Sequence, residues 1–384
     1  MKFPSLLLAL LALTALATAS AADTHWVYFG TYTRGDSPSK GIYRSSFNAD
    51  TGALGQPEVA AEMGSPSFLE IAPSKKFLYA VGETSGGGTG KGVAAFTLDP
   101  ASGQLAPINA VTAVGEGPCH VNLDPSGRMV GIANYGSGSI VSYQVRKDGG
   151  LSDPVSFIQH EGSSIDPKRQ AGPHAHSINF SPDGRFAYAC DLGLDKVFIY
   201  QTDPASGSLT PAQPPFATVP AGGGPRHLAI HPDGTHVFVN NEMALTVTSF
   251  RRDAETGALT EIETTSTLPA GEKPGPGLST AETLVHPSGK FVYVSNRGHD
   301  TVAVFAWDPD AEKLTLVQNA KCEGSIPRNI RLDPSGRWMI MAHQKTQDVA
   351  VFAVDSATGK LTFTGTKHPV GAPVCIRFVP VAGS

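Results

Sequence analysis

The stretch DPASGQL at residues 99–105 indicates the fold, because close copies of it recur along the whole chain. Seven segments of this kind end in leucine, namely NADTGAL (48–54), DPASGQL (99–105), KDGGL (147–151), DPASGSL (203–209), DAETGAL (253–259), DPDAEKL (308–314) and DSATGKL (355–361). Successive closing leucines are 51, 46, 58, 50, 55 and 47 residues apart. Asp, Asn, Ser and Gly are turn-forming residues, so each copy predicts a turn, and the spacing predicts seven structural repeats.

A second turn motif alternates with the first. It consists of proline, then Ser or Asp, then usually Gly, with the prolines at 73, 125, 182, 232, 287 and 334. Proline presets one backbone dihedral and glycine permits a positive φ. Six copies leave one repeat incomplete, but PVCIRFVP (373–380) resembles the strand before this turn and HWVYFGTYT (25–33) resembles the strand after it. The two ends of the chain are therefore predicted to share one repeat.

The composition favours an all-β fold. The chain has 42 Gly and 30 Pro, with many short β-branched and aromatic runs between the turns. Four strands per repeat, repeated seven times, are typical of a seven-bladed β-propeller. We predict that the C-terminal strand pairs with N-terminal strands, which closes the ring and removes exposed sheet edges. Residues 23–384 are predicted to form this one domain.

Residues 1–22 have the pattern of a secretory signal peptide. Lys2 precedes an apolar run from Leu6 to Ala17, and small residues follow up to Ala22. A membrane span would need about 20 apolar residues, which this run does not reach. We therefore expect cleavage and a periplasmic or secreted protein with no membrane attachment, since no Cys follows the run to carry a lipid anchor.

Charge and cysteine usage exclude several classes of partner. Loss of Lys2 changes the formal net charge from −5 to −6, and charged residues make up 16%, so nothing indicates binding to nucleic acid. Cys119, Cys190, Cys322 and Cys375 form no CxxC pair, and we interpret them as buried strand residues in preference to a disulfide. The run SGGGTGKG (85–92) does not fit a phosphate loop. We expect a monomer that binds a small molecule without metal or cofactor.

The turn prolines also locate a candidate site. Six residues before the prolines come Ser67, Cys119, His176, Arg226, Ala281 and Arg328, and ten residues after them come Glu83, Tyr135, Leu192, Glu242, Arg297 and Gln344. Each proline lies between the two innermost, antiparallel strands of a blade, so both sets lie at the same mouth of the central channel. Two long loops, 161–176 and 270–282, enter this face. We predict a binding site there.

Other polar residues have two interpretations. Glu83, Tyr135, Gln344, Arg328, His120, His174 and Glu282 are on the predicted face, where each is either a ligand contact or a partner that braces a loop. His231 and His286 adjoin the turn proline at the opposite face and are interpreted as structural, whereas His25, His236 and His368 are interpreted as solvated. Cys119 beside His120 does not indicate a thiol nucleophile, since adjacency along a strand does not direct the base at the thiol.

Four segments of the chain resemble a known family. They are GPHAHSINFSPDGRFAYACDLG (172–193), GPRHLAIHPDGTHVFVNNEM (224–243), AETLVHPSGKFVYVSNRG (281–298) and PRNIRLDPSGRWMIMAHQ (327–344). The chain resembles the seven-bladed propeller lactonases, which include bacterial 6-phosphogluconolactonases and fungal carboxymuconate-cyclising enzymes. The resemblance implies a catalytic set of His176, Arg226, Glu242 and Arg297, and His174, His120, Tyr135, Arg328 and Gln344 are the candidate substrate contacts.

The resemblance implies hydrolysis of a sugar lactone. A base would take a proton from water, and cations would stabilise the oxyanion. His176 or Glu242 is the candidate base, and Arg226 and Arg297 are the candidate cations. Because the phosphorylated sugar lactone is a cytosolic metabolite, an exported member would act on an unphosphorylated aldonolactone or on another lactone. The alternatives are a carboxymuconate-type cycloisomerase and a non-catalytic binding scaffold, because VYVSNRGHDTVAVF (292–305) resembles the YVTN-type repeats of such propellers.

Overall fold

The computed structural model describes residues 23–83 and 92–381, whose strands form a seven-bladed β-propeller. The predicted fold is confirmed. The predicted signal peptide, residues 84–91, which include all of the glycine-rich run except Gly92, and residues 382–384 lie outside the described residues. Within the described ranges, no helix has the length and apolar character needed to cross a membrane.

Six blades each consist of four consecutive antiparallel strands. The first three of these blades contain β5(Pro66–Ile71), β6(Phe77–Gly82), β7(Val93–Leu98) and β8(Leu105–Val111); β9(Pro118–Leu123), β10(Met129–Asn134), β11(Ser139–Val145) and β12(Leu151–Gln159); and β13(Ala175–Phe180), β14(Phe186–Asp191), β15(Lys196–Asp203) and β16(Ser208–Thr218). The next three contain β17(Pro225–Ile230), β18(His236–Asn241), β19(Thr246–Arg252) and β20(Leu259–Ser266); β21(Ser279–Val285), β22(Phe291–Arg297), β23(Thr301–Asp308) and β24(Lys313–Lys321); and β25(Pro327–Leu332), β26(Trp338–His343), β27(Asp348–Val354) and β28(Leu361–Pro369).

The seventh blade joins the two ends of the chain, as predicted. It contains β29(Pro373–Pro380), β1(Thr24–Thr31) and β2(Gly41–Asn48), with the short strands β3(Ala53–Leu54) and β4(Glu58–Glu62) both paired to β2. β29 runs antiparallel to β1, with Val27 opposite Phe378. The innermost strand of this blade therefore comes from the C-terminus and its neighbour from the N-terminus.

The burial of each strand follows its distance from the channel. The second strand of a blade is apolar and buried on both faces, as in β10 and β14. The outermost strand alternates between inward and solvent-facing residues, as in β12, because only one of its faces packs on the core. The glycines of the proline turns adopt left-handed φ angles, for example +74° at Gly234, and Lys75 takes this conformation at 61° in the first turn.

In several blades the residue six positions before the turn proline lies in a β-bulge. The register between β17 and β18 shifts between Pro225 and His227, so Arg226 has no partner across the ladder. The same shift isolates His176 between β13 and β14 and Arg328 between β25 and β26. A bulge redirects a side chain that regular alternation would place elsewhere. These three bulges start innermost strands, at the mouth of the channel.

Candidate active site

A cavity of about 280 Å³ opens at the predicted mouth of the channel. All seven blades, or the loops that follow their strands, contribute to it. Its lining consists of Tyr32, Arg34, Glu83, Cys119, Tyr135, Arg169, His176, Glu242, Arg297, Arg328 and Gln344. Among these are His176, Glu242 and Arg297 of the predicted catalytic set, so three of the four residues that the spacing predicts at this mouth line one cavity.

Glu242 is the centre of an arginine cluster. Its Oε2 lies 3.0 Å from Nε of Arg226 and 2.9 Å from a terminal nitrogen of Arg297, and its Oε1 accepts a 2.8 Å hydrogen bond from Arg169. Both oxygens of the buried carboxylate are therefore engaged by guanidinium groups. This geometry makes Glu242 an organiser of positive charge around the cavity.

Arg226 lies behind Glu242 and does not line the cavity. The side chain is fully buried and donates to the carbonyl oxygen of Ala281, and its NH1 lies 3.2 Å from Nε2 of His227. His227 in turn directs Nδ1 to Glu282 at 3.0 Å. Arg226 is thus held on several sides by protein groups, and it lines a small void that shares Cys119 and Arg328 with the cavity.

His176 is buried against two other rings. Its ring is 5.3 Å from that of Tyr135 and 5.2 Å from that of His227, and its Nδ1 lies 3.9 Å from the sulfur of Cys119. No carboxylate of the described chain forms an ion pair with this imidazole. The imidazole lines the cavity, so it can contact a water or a ligand there.

Positive charge exceeds negative charge at the mouth. Glu83 is already engaged, since it accepts 2.8 Å and 3.0 Å bonds from Tyr32 and Arg34. Arg328 lies with its guanidinium 5.4 Å from the centre of the Tyr32 ring and forms no ion pair with any carboxylate in residues 23–83 or 92–381. Its charge is available to an anionic ligand or to a developing oxyanion.

Comparison with known proteins identifies the family. A family model described as "Lactonase, 7-bladed beta-propeller" matches residues 26–378. The chain belongs to the seven-bladed β-propeller lactonase family. It is 33% identical over 361 residues to a Bacillus subtilis 6-phosphogluconolactonase, covering 92% of this chain and 97% of that protein. A 6-phosphogluconolactonase of Formosa agariphila is 29% identical, covering 77% and 83% of the two chains.

A solved structure is similar over nearly the whole chain. The periplasmic gluconolactonase of Pseudomonas aeruginosa superposes with a TM-score of 0.87 and 34% identity, covering 93% of this chain and 99% of that one. The resemblance seen in the sequence is therefore confirmed for the family and for the fold.

Burial and the nearby arginines determine the charges of the groups that line this cavity. Burial lowers the pKa of His176 well below 6.5, and the positive charge of Arg226 acts in the same direction. Burial alone would raise the pKa of Glu242, but Arg297, Arg226 and Arg169 outweigh it and hold the pKa far below the usual 4.5. At neutral pH the imidazole is therefore neutral and the carboxylate ionised.

The candidate substrate contacts are not all at the cavity. Tyr135, Arg328 and Gln344 line it. His174 stacks on Tyr135 at 4.6 Å and its Nδ1 lies 2.9 Å from the Tyr135 carbonyl oxygen, so it supports that loop. His120 lies further along the channel, 4.2 Å from the Phe68 ring, and lines a separate cavity of about 540 Å³ on the other side of Phe68 and His227.

Sequence reasoning missed three residues that line the site. Arg169 comes from the long loop 161–176, which was predicted to enter this face, but no motif in the loop distinguishes Arg169 from Lys168. Tyr32 and Arg34 follow β1 in the blade that has no turn proline, so the spacing did not apply to them.

The interpretation of two other histidines was wrong. His25 and His236 were expected in solvent, yet they are only 4% and 8% exposed. His236 packs against Trp307 at 5.1 Å and lies 3.1 Å from Glu312, because the neighbouring blade covers this end of β18. All four cysteines are buried and unpaired, and burial raises the pKa of Cys119 to about 12, which does not favour a thiolate nucleophile.

Proposed function

We propose that this chain hydrolyses a sugar lactone in the cavity at the channel mouth. One observation carries the proposal: the imidazole of His176 and the guanidinium of Arg328, which has no ion-pair partner among the described residues, line the same cavity of about 280 Å³. Lactone hydrolysis needs these two elements, a base for water and a cation for the oxyanion. The family relationship to 6-phosphogluconolactonases supports the same chemistry.

In the proposed reaction His176 is the base. Water adds its oxygen to the lactone carbonyl carbon while the imidazole accepts the water proton, which leaves a tetrahedral oxyanion facing Arg328 and Arg297. The bond between this carbon and the ring oxygen then breaks, and the imidazolium returns the proton to the departing ring oxygen. The product is a hydroxy acid, which ionises in water, and the imidazole is neutral again.

Glu242 is proposed to organise charge in this reaction. A carboxylate with a pKa held far below 4.5 is a weak base, so it is poorly matched to proton abstraction from water. It holds Arg297 and Arg169 beside the cavity and anchors both to the buried Arg226. Preorganised charges of this kind stabilise a transition state without reorganisation.

The proposed substrate is an unphosphorylated aldonolactone, and the proposed location is the periplasm or the medium. The pattern of residues 1–22 supports export, and a structural neighbour is described as a periplasmic gluconolactonase. The mature chain would begin near Asp23. Cell fractionation followed by N-terminal sequencing tests this location, and an intact Met1 in the cytoplasmic fraction would contradict it.

A pH-indicator assay of the purified mature protein tests the activity. Gluconolactone and its 6-phosphate are supplied separately, without added metal and then with chelator. We expect hydrolysis of gluconolactone that survives the chelator, and faster turnover of gluconolactone than of the phosphate. His176→Asn and Arg328→Gln should each lower kcat/KM by about 100-fold or more while the thermal transition stays in place.

The control variant is His368→Asn, which changes a histidine on the outermost strand β28. It should retain full activity. Full activity in His176→Asn would refute the assigned base. Absence of hydrolysis with either lactone would favour a cyclising enzyme acting on an acidic diene, or a binding scaffold.

A further inference from the structure

A histidine and aspartate cluster lies at the opposite end of the propeller from the lactone pocket. It occupies the turn HPDGTH at residues 231–236, between β17 and β18. Nδ1 of His231 lies 2.9 Å from Oδ2 of Asp233, and Nδ1 of His236 lies 3.3 Å from the same oxygen. All three atoms lie within 4.8 Å of one another.

The outward nitrogens of both rings already have acceptors. Nε2 of His231 lies 2.9 Å from the carbonyl oxygen of Gly289, and Nε2 of His236 lies 3.1 Å from Oε1 of Glu312. A carbonyl and a carboxylate only accept, so each Nε2 carries a hydrogen. In the neutral rings both Nδ1 atoms therefore present lone pairs to a carboxylate oxygen.

Nearby donors do not resolve this arrangement. The Asp233 amide lies 3.2 Å from Nδ1 of His231, and the Thr235 hydroxyl lies 3.0 Å from Nδ1 of His236. The amide gives its hydrogen to His231, and the hydroxyl has one hydrogen to share between His236 and the Asp233 carboxylate. In the neutral ring, Nδ1 of His231 therefore still faces Oδ2 as one acceptor facing another. A cation between the three atoms removes the repulsion.

The other turns of this type pair a donor with an acceptor. The two positions that correspond to His231 and Asp233 hold a hydroxyl and an acceptor in four further blades. The pairs are Ser126 with Asp124, Ser181 with Asp183, Ser288 with His286, and Ser335 with Asp333. Among these five described turns, only the turn at 231–236 has an acceptor at both positions, Nδ1 of His231 and Oδ2 of Asp233. The exception indicates a requirement for a ligand that accepts electron pairs.

We propose that His231, Asp233 and His236 bind a divalent late transition metal ion, with Zn²⁺ as the expected occupant. Two imidazoles and a carboxylate are typical zinc ligands. Zinc bonds of about 2.0–2.1 Å in a tetrahedron place neighbouring ligand atoms about 3.3 Å apart. The two distances from Oδ2 of Asp233, 2.9 Å to His231 and 3.3 Å to His236, are close to this value. Water completes the coordination, because Asp233 is exposed.

The surroundings resemble the outer shell of a metal site. Histidine ligands commonly donate their second N–H to a carbonyl or a carboxylate, as both do here. These outer partners, Gly289 and Glu312, belong to the next blade. Bound metal would therefore fix two adjacent blades together. The site is proposed to stabilise the fold and has no part in lactone hydrolysis.

Cobalt and zinc titrations of the untagged, chelator-treated protein test the proposal. We expect Co²⁺ to give visible absorption that saturates at one equivalent and is displaced by Zn²⁺, and Zn²⁺ to raise the Tm. Asp233→Ser places at this position the serine hydroxyl that the next blade has there, Ser288 beside His286. This variant should bind the metal at least about tenfold more weakly and lose the zinc-dependent rise in Tm.

His299→Ala is the matched control, since His299 also pairs with a carboxylate, Glu272 at 3.0 Å, without a third ligand. This variant should bind Co²⁺ like the wild type. Absence of a saturable signal in the wild type would overturn the proposal. Equal affinity in Asp233→Ser, with circular dichroism unchanged, would overturn it as well.

Discussion

At the scale of single residues, the engagement of Glu242 by three guanidinium groups determines what it does in a reaction. Arg226, Arg297 and Arg169 hold its pKa far below 4.5, so at neutral pH it stays ionised and keeps the arginines in place. His176 has no ion-pair partner among the described residues and remains neutral because burial lowers its pKa. The two candidate bases are thus separated by their surroundings.

Glu242→Gln tests the organising role. The amide preserves shape but leaves three guanidiniums without their shared counter-charge, so Arg297 should move from its position at the cavity. We expect kcat/KM for gluconolactone to fall by about 100-fold, measured with the indicator assay. The control is Asp348→Asn on β27. This buried carboxylate accepts a hydrogen bond from His343 and does not line the cavity, so the variant should leave kcat/KM unchanged. Unchanged turnover in Glu242→Gln would contradict the role.

The pH profile of the reaction tests the assignment of His176. Its pKa lies well below 6.5, so the free enzyme keeps a neutral imidazole throughout the range from pH 6.5 to 8. We expect kcat/KM to be level across this range and to decline only at more acidic pH, as the imidazole gains a proton. Initial rates corrected for spontaneous lactone hydrolysis measure the profile. A midpoint at or above pH 6.5 would be inconsistent with the buried, neutral base.

At the scale of elements, hydroxyl groups on second strands connect neighbouring blades. Tyr28, Tyr79, Tyr188 and Tyr293 each donate to the carbonyl oxygen of a turn glycine in the next blade, at 2.7 to 3.0 Å. Those acceptors are Gly103, Gly149, Gly257 and Gly359, which belong to the leucine-terminated turns of the sequence. The repeat therefore specifies both the hairpins and the contact between blades.

Tyr79→Phe removes one of these connections. The buried hydroxyl donates to Gly149 at 2.9 Å, so its loss leaves a carbonyl without this donor and should lower the free energy of unfolding by about 1–2 kcal/mol. Urea denaturation measures the change, and lactone hydrolysis should be unaffected. The control is Tyr43→Phe. The Tyr43 hydroxyl accepts one hydrogen bond of 3.3 Å from the Lys40 amide, so its loss should lower the free energy of unfolding less. Equal stability of both variants would show that the connection contributes nothing.

The turn motifs predicted strand ends well, but they did not predict side-chain directions. Turn prolines placed His176, Glu242 and Arg297 at one mouth because strand length is nearly constant between blades. Arg226 and His176 each lie six residues before a turn proline, yet Arg226 does not line the cavity. Its guanidinium instead donates to the carbonyl oxygen of Ala281 in the next blade. Such contacts join residues 55 positions apart, and no local pattern encodes them. The bulges at these positions were equally invisible in the sequence.

At the scale of the whole molecule, the ring of blades creates a channel whose interior is closed by aromatic and imidazole rings. The Phe68 ring lies 4.2 Å from that of His120 and 5.5 Å from that of His227, and these two imidazoles are 5.1 Å apart. The ring of His227 is also 5.2 Å from that of His176. These rings separate the cavity at the channel mouth from the larger cavity beyond them. Closure of the ring by β29 completes the channel wall, since Arg377 on this strand pairs with Glu70 on β5 at 3.1 Å.

This closed channel makes folding stability depend on pH. Burial lowers the pKa of His120 and His176 well below 6.5 and that of His227 to about 4. In the unfolded chain these imidazoles take up protons near pH 6.5, whereas in the folded protein they remain neutral to lower pH. The unfolded state therefore binds more protons below pH 6.5, and acidification from 6.5 towards 4 should lower the free energy of unfolding.

His120→Asn isolates the contribution of one buried imidazole of the channel to this pH dependence. Each fully titrating imidazole contributes up to about 1.4 kcal/mol per pH unit, so the variant should lose stability less steeply than the wild type between pH 6.5 and 5. Urea denaturation at several pH values measures both slopes. Glu242 adds its own dependence only below pH 4.5, outside this range. Parallel slopes in the two proteins would mean that His120 gains its proton in the folded channel as readily as in the unfolded chain.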